Sequence, residues 1–196
     1  MATHSISLPV SESGIRRLRI GDEVRLSGVV YTGRDRLHKH LAEGRPSPAD
    51  LRGGAIFHCG PVVVPDPAAP GAPWRIVAAG PTTSCREEPY MAGIVGREGL
   101  RAIIGKGGMG PATAAACASC GCTYLQAVGG AAALLARCVK RVLGVHFLED
   151  FGATEAMWAL QVEDFPALVG IDATGASLFD AVKNSSADRL AALLRA

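Results

Sequence analysis

Short, glycine-bounded segments of two kinds alternate through the second half of the sequence, and this alternation constrains the fold most. The runs RAIIGK and TYLQAV are short and rich in β-branched or apolar residues, which is typical of strands. Around them we predict helices over residues 90–99, from Pro111 onward, and over GAAALLARCVKRVLG, residues 130–144. Strands and helices that alternate in this way are typical of βαβ units. The sequence therefore predicts an α/β fold.

The first half of the chain contains more predicted strands than helices. Val24, Leu26 and Val30 alternate with polar or small residues in GDEVRLSGVVYTG, so this segment predicts a half-buried strand. RDRLHKHLAEG predicts a short helix with Leu37 and Leu41 on one face, and GGAIFHCG and WRIVAAGP predict short strands. VHFLED, AMWALQVEDF and LVGIDATG predict further strands. We therefore expect a sheet that mixes parallel and antiparallel strands.

The length of the chain fits one domain over residues 1–196, because domains usually contain about 100 to 200 residues. Residues 184–196, which include SADRLAALLRA, predict a terminal helix or tail. The prolines of residues 64–73 lack the N–H group that a helix or central strand needs, so we expect an exposed connection there. We find no internal repeat.

The charge balance and the apolar pattern argue against two classes of partner. Lys and Arg together number 20 and Asp and Glu 18, so the chain has no broad positive field for a phosphate backbone, and we expect no nucleic-acid partner. We find no apolar run like the core of a secretory signal, and no segment long and apolar enough to span a bilayer. We therefore expect a cytoplasmic protein with no membrane partner and with reduced cysteines.

Three distant segments place a cation beside glycine or hydroxyl residues. Arg34 follows a glycine at the start of a predicted helix, where exposed N–H groups already favour an anion. GPTTSCR offers Thr82, Ser84 and Arg86 after a predicted strand, and Lys106 lies at the end of the strand RAIIGK. Arginine forms paired hydrogen bonds to a carboxylate, and lysine adds a compact charge. Together these segments predict a site for a small dianion such as a dicarboxylate.

Six sequence blocks between about Gly21 and Phe179 occur in the same order as in a known enzyme family. The blocks are TGRDRLHKHL, LRGGAIFHCGP, GPTTSCREEPY, IGKGGMG, YLQAVGGAAALLA and VEDFPALVGIDATGASLF. In these blocks the chain resembles the β subunit of L-tartrate dehydratase and the C-terminal domain of class I, iron-sulfur fumarases. Six ordered blocks are far more specific than any one of the motifs.

The resemblance implies a swivelling β/β/α domain with a mixed sheet. It also implies the β subunit of a hydro-lyase that reversibly hydrates or dehydrates a C4 dicarboxylate, either fumarate and malate or tartrate and oxaloacetate. Family members hold a 4Fe-4S cluster in a larger domain, so the resemblance implies a cluster-bearing α subunit as partner and no metal in this chain. We expect no activity without that partner, and assembly as a homo-oligomer or a heterotetramer.

The family's functional residues correspond to positions of this chain. The resemblance implies that Arg34 and Arg86 bind substrate carboxylates, that Thr82 takes part in proton transfer and that Lys106 contacts the substrate. Thr82, Arg86 and Lys106 are thus the expected catalytic residues. Arg34, Ser84, Arg86 and Lys106 are the expected substrate-binding residues. Threonine is a weak base, so Thr82 needs a carboxylate from the partner to accept its proton.

Two features depart from the family pattern or allow another interpretation. Glu87 stands where the family motif has methionine, and it either points outward, pairs with Arg86 or signals an altered substrate preference. Cys117, Cys120 and Cys122 in CASCGC allow a metal site as an alternative, but their spacing is not a standard zinc or iron-sulfur pattern. Packing of small residues at a helix end is the preferred interpretation.

A different class of function fits the same cationic residues. A dicarboxylate-binding module without catalytic activity needs the same side chains and no partner subunit. We interpret the histidines, including His38 and His58, as solvated or core residues, and we leave them outside the predicted site.

Overall fold

The computed structural model describes residues 1–67 and 73–195. The strands are β1 (Thr3–Ser7), β2 (Glu23–Gly33), β3 (Ala55–His58), β4 (Val62–Pro65), β5 (Trp74–Ala78), β6 (Ala102–Gly105), β7 (Thr123–Gln126), β8 (Val139–His146) and β9 (Met157–Ile171). The α-helices are α1 (Glu12–Ile15), α2 (Asp35–Ala42), α3 (Glu88–Glu98), α4 (Pro111–Cys120), α5 (Ala132–Ala136), α6 (Leu148–Phe151) and α7 (Leu178–Leu193), and a 3-10 turn covers Ser84–Glu87. No helix in these two ranges has the length and apolar character of a membrane span.

Five strands of the main sheet close into a barrel. The seven-stranded sheet has the order β1-β2-β3-β6-β7-β9-β8, and β9 also pairs with β2. Strands β2, β3, β6 and β7 run parallel to one another, whereas β9 is antiparallel to both β7 and β2. With 15 residues, β9 is long enough to pair with β7 near its C-terminal end and with β2 along most of its length. This double pairing closes the barrel.

Gly28 lets β2 pair with two different strands along one edge. Strand β1 pairs with residues 23–27 of β2, and β3 pairs with residues 30–33. Gly28 lies between these stretches with a φ of 117°, in the region that favours glycine, and the register with β9 shifts at the same place. A Cβ atom at this position would lie 2.7 Å from the carbonyl oxygen of Leu8, so the close backbone approach also requires glycine.

Alternate residues of the central strands face two separate cores. Phe57 of β3 and Ile104 of β6 pack inside the barrel. Ile56 and Ile103, their neighbours in sequence, pack on the outside against apolar residues of α2, α3 and α4. Each such buried side chain contributes about 1.5 to 3 kcal/mol relative to exposure. The helical layer and the barrel interior therefore both hold the parallel strands in place.

The mixed α/β fold and the mixed sheet predicted from the sequence are confirmed. The predicted strands of the first half correspond to β2, β3 and β5, and RAIIGK and TYLQAV correspond to β6 and β7. Three of the predicted helices correspond to α2, α3 and α4, and AMWALQVEDF and LVGIDATG join into the single strand β9. Helical structure at the C-terminal end begins at Leu178, before residues 184–196.

Two predictions after β7 are wrong. The helix predicted over residues 130–144 is limited to α5, and β8 occupies its second half. The cause is non-local, because β8 pairs with β9 and Val142 is buried opposite Leu160. The strand predicted over VHFLED ends at His146, and α6 follows.

The prediction of an exposed connection over residues 64–73 is wrong for the first two residues, which belong to a strand. Val64 and Pro65 belong to β4, which forms a two-stranded antiparallel sheet with β5. Residues 68–72 of that tract lie outside the described residues.

Candidate active site

The carboxyl ends of β2, β3, β6 and β7 lie at one edge of the barrel because these strands are parallel. This is the edge at which open α/β sheets usually bind ligands. Arg34 follows β2, His58 ends β3 and Lys106 follows β6. Two of the three predicted cationic segments therefore meet here through the strand pairing alone.

The third predicted segment is held between the ends of β3 and β6 by backbone hydrogen bonds. The N–H of Thr82 donates to the carbonyl of His58 at 2.6 Å, and the N–H of Lys106 donates to the carbonyl of Thr82 at 3.2 Å. The N–H of Ser84 then donates to the carbonyl of Lys106 at 2.9 Å. These bonds extend the sheet for residues 82–84, so Thr82 lies beside Lys106 although the two are distant in sequence.

Arg34 is the N-cap residue of α2, and its backbone and side chain have different partners. Its carbonyl accepts hydrogen bonds from the backbone N–H of His38 at 3.0 Å and from Nδ1 of the same residue at 2.8 Å. Its Nε lies 3.5 Å from Oε1 of Glu155, in the loop before β9. A Cβ atom at Gly60 would lie 2.8 Å from Nη1 of Arg34, so glycine there leaves room for the guanidinium.

Arg86 extends from the 3-10 turn toward the start of α2, where its guanidinium donates a hydrogen bond to the carboxylate of Asp35. This hydrogen bond is the main reason that the pKa of Arg86 is raised above its ordinary value. The Arg86 side chain is still 48% exposed, so solvent or a ligand can reach it. Because Asp35 follows Arg34 directly, the contact brings both arginines to the same end of α2.

Ser84 is buried beneath this surface. Its Oγ lies 2.9 Å from Nδ1 of His58 and accepts a hydrogen bond from the hydroxyl of Tyr124 at 3.1 Å. A Cβ atom at Gly105, the last residue of β6, would lie 1.8 Å from this Oγ, so only glycine fits there. Burial raises the pKa of Tyr124 to about 12, so the phenol stays neutral and can donate. The Ser84 hydroxyl thus supports the site from within the protein.

Glu87, His38 and His58 form a buried polar cluster behind the arginines. All three side chains are fully buried, and Oε2 of Glu87 lies 3.4 Å from Nδ1 of His38. The two imidazole rings meet edge to face with centroids 4.8 Å apart. Burial lowers the pKa of His38 to about 4 and that of His58 well below its ordinary value, and burial raises the pKa of Glu87 to about 7. The interpretation of these two histidines as core residues matches their burial.

The cysteines of CASCGC do not form a metal centre in the described part of the chain. Cys117 and Cys122 are buried, and Cys120 is partly buried near the end of α4. Burial raises the pKa of the Cys122 thiol well above its ordinary value, which opposes the thiolate form that a metal needs. Within residues 1–67 and 73–195, no group of three or more His, Cys, Asp or Glu side chains is arranged to hold a metal ion. These side chains therefore do not fit an iron-sulfur cluster.

The structure brings four of the five predicted site residues to one edge of the barrel and places the fifth beneath it. Arg34, Thr82, Arg86 and Lys106 are at the edge, and Ser84 is the buried one. Asp35 and Glu155, the acidic partners of the two arginines, are not among the residues predicted from the sequence. Asp35 is visible in TGRDR beside Arg34, but no local pattern points to Glu155, which comes from a loop more than a hundred residues away.

Sequence comparison finds one matching family model and several similar proteins. The family model described as the fumarase C-terminus matches residues 2–182. The chain is 47% identical over 186 residues to a protein of Geobacillus stearothermophilus that is provisionally named a class I fumarate hydratase, covering 95% of this chain and 35% of that protein. It is 36% identical over 186 residues to the L(+)-tartrate dehydratase subunit beta of Escherichia coli K12, covering 94% of this chain and 90% of the relative.

A third relative comes from an archaeon. It is a protein of Methanocaldococcus jannaschii provisionally named an L(+)-tartrate dehydratase subunit beta, 36% identical over 190 residues, with 94% of this chain and 95% of the relative covered. The chain thus spans about a third of the length of the Geobacillus protein and nearly all of the two others. With a match over nearly its whole length and its cationic residues gathered at one sheet edge, the chain belongs to the fumarase C-terminus family.

Proposed function

We propose that the chain is the β subunit of a heteromeric, iron-sulfur-dependent hydro-lyase that reversibly hydrates or dehydrates a C4 dicarboxylate. Relatives of nearly the same length carry the name of a tartrate dehydratase subunit beta, and a longer relative carries that of a class I fumarate hydratase. These names support a separate α subunit as partner and either fumarate and malate or tartrate and oxaloacetate as the substrate pair.

The observation that carries this proposal is that Arg34, Thr82, Arg86 and Lys106 lie at one edge of the barrel. The arginines meet at the start of α2, and Lys106 is joined to Thr82 by a backbone hydrogen bond. A guanidinium can bind a carboxylate through two parallel hydrogen bonds, and an ammonium adds a compact charge. Three cations at one sheet edge suit an anion with two carboxylates.

The chemistry of the reaction gives each of these residues a role. Removing a proton from the carbon beside a carboxylate builds negative charge on that carboxylate. Arg34, Arg86 and Lys106 stabilise this charge, which is often the largest catalytic contribution of an active site. The Thr82 hydroxyl moves the proton only if a stronger base receives it, and we assign that base to a carboxylate of the partner subunit. Ser84 holds the Thr82 segment against β3 and β6 from beneath.

The partner subunit is also where we place the cofactor. We assign a 4Fe-4S cluster to the α subunit, and the burial of Cys117 and Cys122 without a group of ligands among the described residues supports this assignment. This division of parts makes the isolated chain inactive, because neither the cluster nor the base is on it.

The test is co-expression of the chain with a cluster-bearing α subunit, anaerobic purification, and assay on fumarate, malate and the tartrate isomers. We expect turnover of at least one of these compounds by the complex and none by either subunit alone. Absence of turnover with all of them contradicts the proposal. The alternative is a dicarboxylate-binding module without catalytic activity, and calorimetry on the isolated chain tests it. Tight binding of fumarate or tartrate without the α subunit, together with an inactive complex, supports this alternative.

A further inference from the structure

Glu87 is a buried acidic side chain that lacks the partners a carboxylate needs. Its side chain is fully buried, and neither of its oxygens has a hydrogen bond to any described residue. His38 Nδ1 is 3.4 Å from Oε2, too far for a strong hydrogen bond, and it already donates to the Arg34 carbonyl at 2.8 Å. An unpaired carboxylate in such surroundings is strongly disfavoured, so the neutral acid is the form that fits.

His38 does not supply a countercharge for Glu87. Its Nδ1 faces a carbonyl oxygen, which can only accept, so this nitrogen carries a hydrogen. Its Nε2 is buried without a partner among the described residues, as is Nε2 of His58. Burial lowers the pKa of both imidazoles, and the neighbouring His38 lowers the pKa of His58 further, so both rings are neutral near pH 7. The proton therefore stays on Glu87 until the pH rises toward its pKa of about 7.

The charges that face Glu87 come from three parts of the chain. Asp35 lies on α2, Glu155 in the loop before β9, and Arg34 and Arg86 next to them. When Glu87 is neutral, the two guanidiniums are balanced by Asp35 and Glu155, and Lys106 leaves the edge net positive. When Glu87 loses its proton to water, a third carboxylate lies beneath the arginines and removes that excess. A dicarboxylate then meets a surface that attracts it less.

We infer that Glu87 is a positioning residue whose neutral carboxyl group keeps Arg34 and Arg86 available to a dicarboxylate, and whose ionisation weakens dicarboxylate binding. The inference rests on the proposed function, because it needs the arginines to bind a dicarboxylate. It adds that the affinity of the site for a dicarboxylate falls as the pH rises through neutrality, because the Glu87 side chain then becomes charged.

Calorimetry with succinate, a C4 dicarboxylate that the hydro-lyase reaction does not convert, tests the inference on the α–β complex. For the unchanged protein we expect the Kd to rise about threefold to tenfold between about pH 6 and about pH 8, as the charge on Glu87 develops. Glu87→Gln has nearly the same shape and cannot ionise, so it should keep the low-pH affinity and lose most of that rise. Glu43→Gln, the same change at an exposed position, should behave like the unchanged protein.

A second measurement does not depend on ligand binding. In the full-length chain labelled with 13C at the glutamate carboxyl carbon, one resonance should titrate near pH 7, and Glu87→Gln should remove it. Glu87→Met keeps the side-chain length without an ionisable group, so it replaces Glu87→Gln in both experiments if that variant does not fold. The absence of a glutamate that titrates near neutrality overturns the inference whether or not the variants fold.

The outcomes separate the inference from the proposed function. If succinate does not bind the unchanged complex at any pH, both the inference about Glu87 and the proposed function are wrong. If succinate binds and the unchanged protein and Glu87→Gln show the same pH dependence, the inference alone is wrong and the binding role of the edge stands. A pH dependence that Glu87→Gln removes, together with the loss of the titrating resonance, supports it.

Discussion

Arg86 donates a hydrogen bond to Asp35, the residue that directly follows Arg34. This contact joins the 3-10 turn to the start of α2, so two arginines that are more than fifty residues apart in sequence belong to one structural unit. Backbone bonds between residues 82–84 and Lys106 join the same turn to β6. The candidate site is thus assembled from three chain segments, and each segment depends on the others for its position.

Replacement of Arg86 should reduce turnover without unfolding the protein. Arg86→Ala removes a half-exposed guanidinium, so we expect kcat/KM of the α–β complex to fall about 100- to 1,000-fold, the range found when one electrostatic stabiliser is lost. Arg45→Ala is the control, because Arg45 is more exposed and lies beyond the other end of α2. Equal activity of the two variants contradicts the assigned role of Arg86.

An added Cβ atom should destabilise the protein at Gly105, beneath the edge, and should not do so at Gly93 in α3. Gly105→Ala places a Cβ atom 1.8 Å from Ser84 Oγ, so we expect a loss of about 1 to 3 kcal/mol in unfolding free energy and lower activity of the complex. Gly93, inside α3, has no atom within 4 Å of an added Cβ, so Gly93→Ala should stabilise by about 0.5 to 1 kcal/mol. Urea unfolding of the isolated chain measures both, and a Gly105→Ala variant as stable as the wild type contradicts the packing described.

The stability of the chain should depend on pH through Glu87. Burial raises its pKa from 4.5 to about 7, so its contribution is fully present below pH 4.5 and is lost as the pH rises through about 7. Relative to Glu87→Gln, the wild type should therefore lose on the order of 3 kcal/mol between about pH 4.5 and about pH 8. Urea unfolding at several pH values gives the result, and a difference that does not change with pH refutes the assignment.

The buried cysteines should behave as packed thiols, and none of the cysteines should act as a metal ligand. Cys85 is exposed and should be alkylated in the folded chain, whereas Cys59, with a pKa raised to about 12 by burial, and Cys122 should react only after unfolding. The purified chain should contain no stoichiometric iron or zinc. Mass spectrometry and metal analysis test this, and a bound metal that protects Cys117, Cys120 and Cys122 would restore the metal-site alternative.

The central strands could be predicted from the sequence because their pattern is local. The alternation of Val24, Leu26 and Val30 marks β2, and glycine turns mark the ends of β6 and β7. The prediction of one helix over residues 130–144 is wrong because it rests on Ala, Leu, Arg and Lys, which favour a helix locally. Pairing with β9, the next strand of the chain, decides the second half of that segment, and the composition of residues 130–144 does not show this pairing.

In the candidate site, too, residues with a local sequence signal could be predicted and residues brought in by tertiary contacts could not. Arg34, Arg86 and Lys106 stand out because each lies beside glycine or hydroxyl residues at the boundary of a predicted element. Glu155 could not be predicted, since only the closure of the barrel by β9 brings its loop to Arg34. Glu87 was recognised as a departure from the family motif, but whether it points outward or inward depends on the packing of the 3-10 turn against α2.

The most direct measurement is a crystal structure of the α–β complex with a bound C4 dicarboxylate. We predict ligand carboxylate oxygens within about 2.7 to 3.2 Å of guanidinium nitrogens of Arg34 and Arg86 and of Nζ of Lys106, with the Thr82 hydroxyl facing the carbon chain. A dicarboxylate bound in the complex without contact to any of these four residues would contradict it.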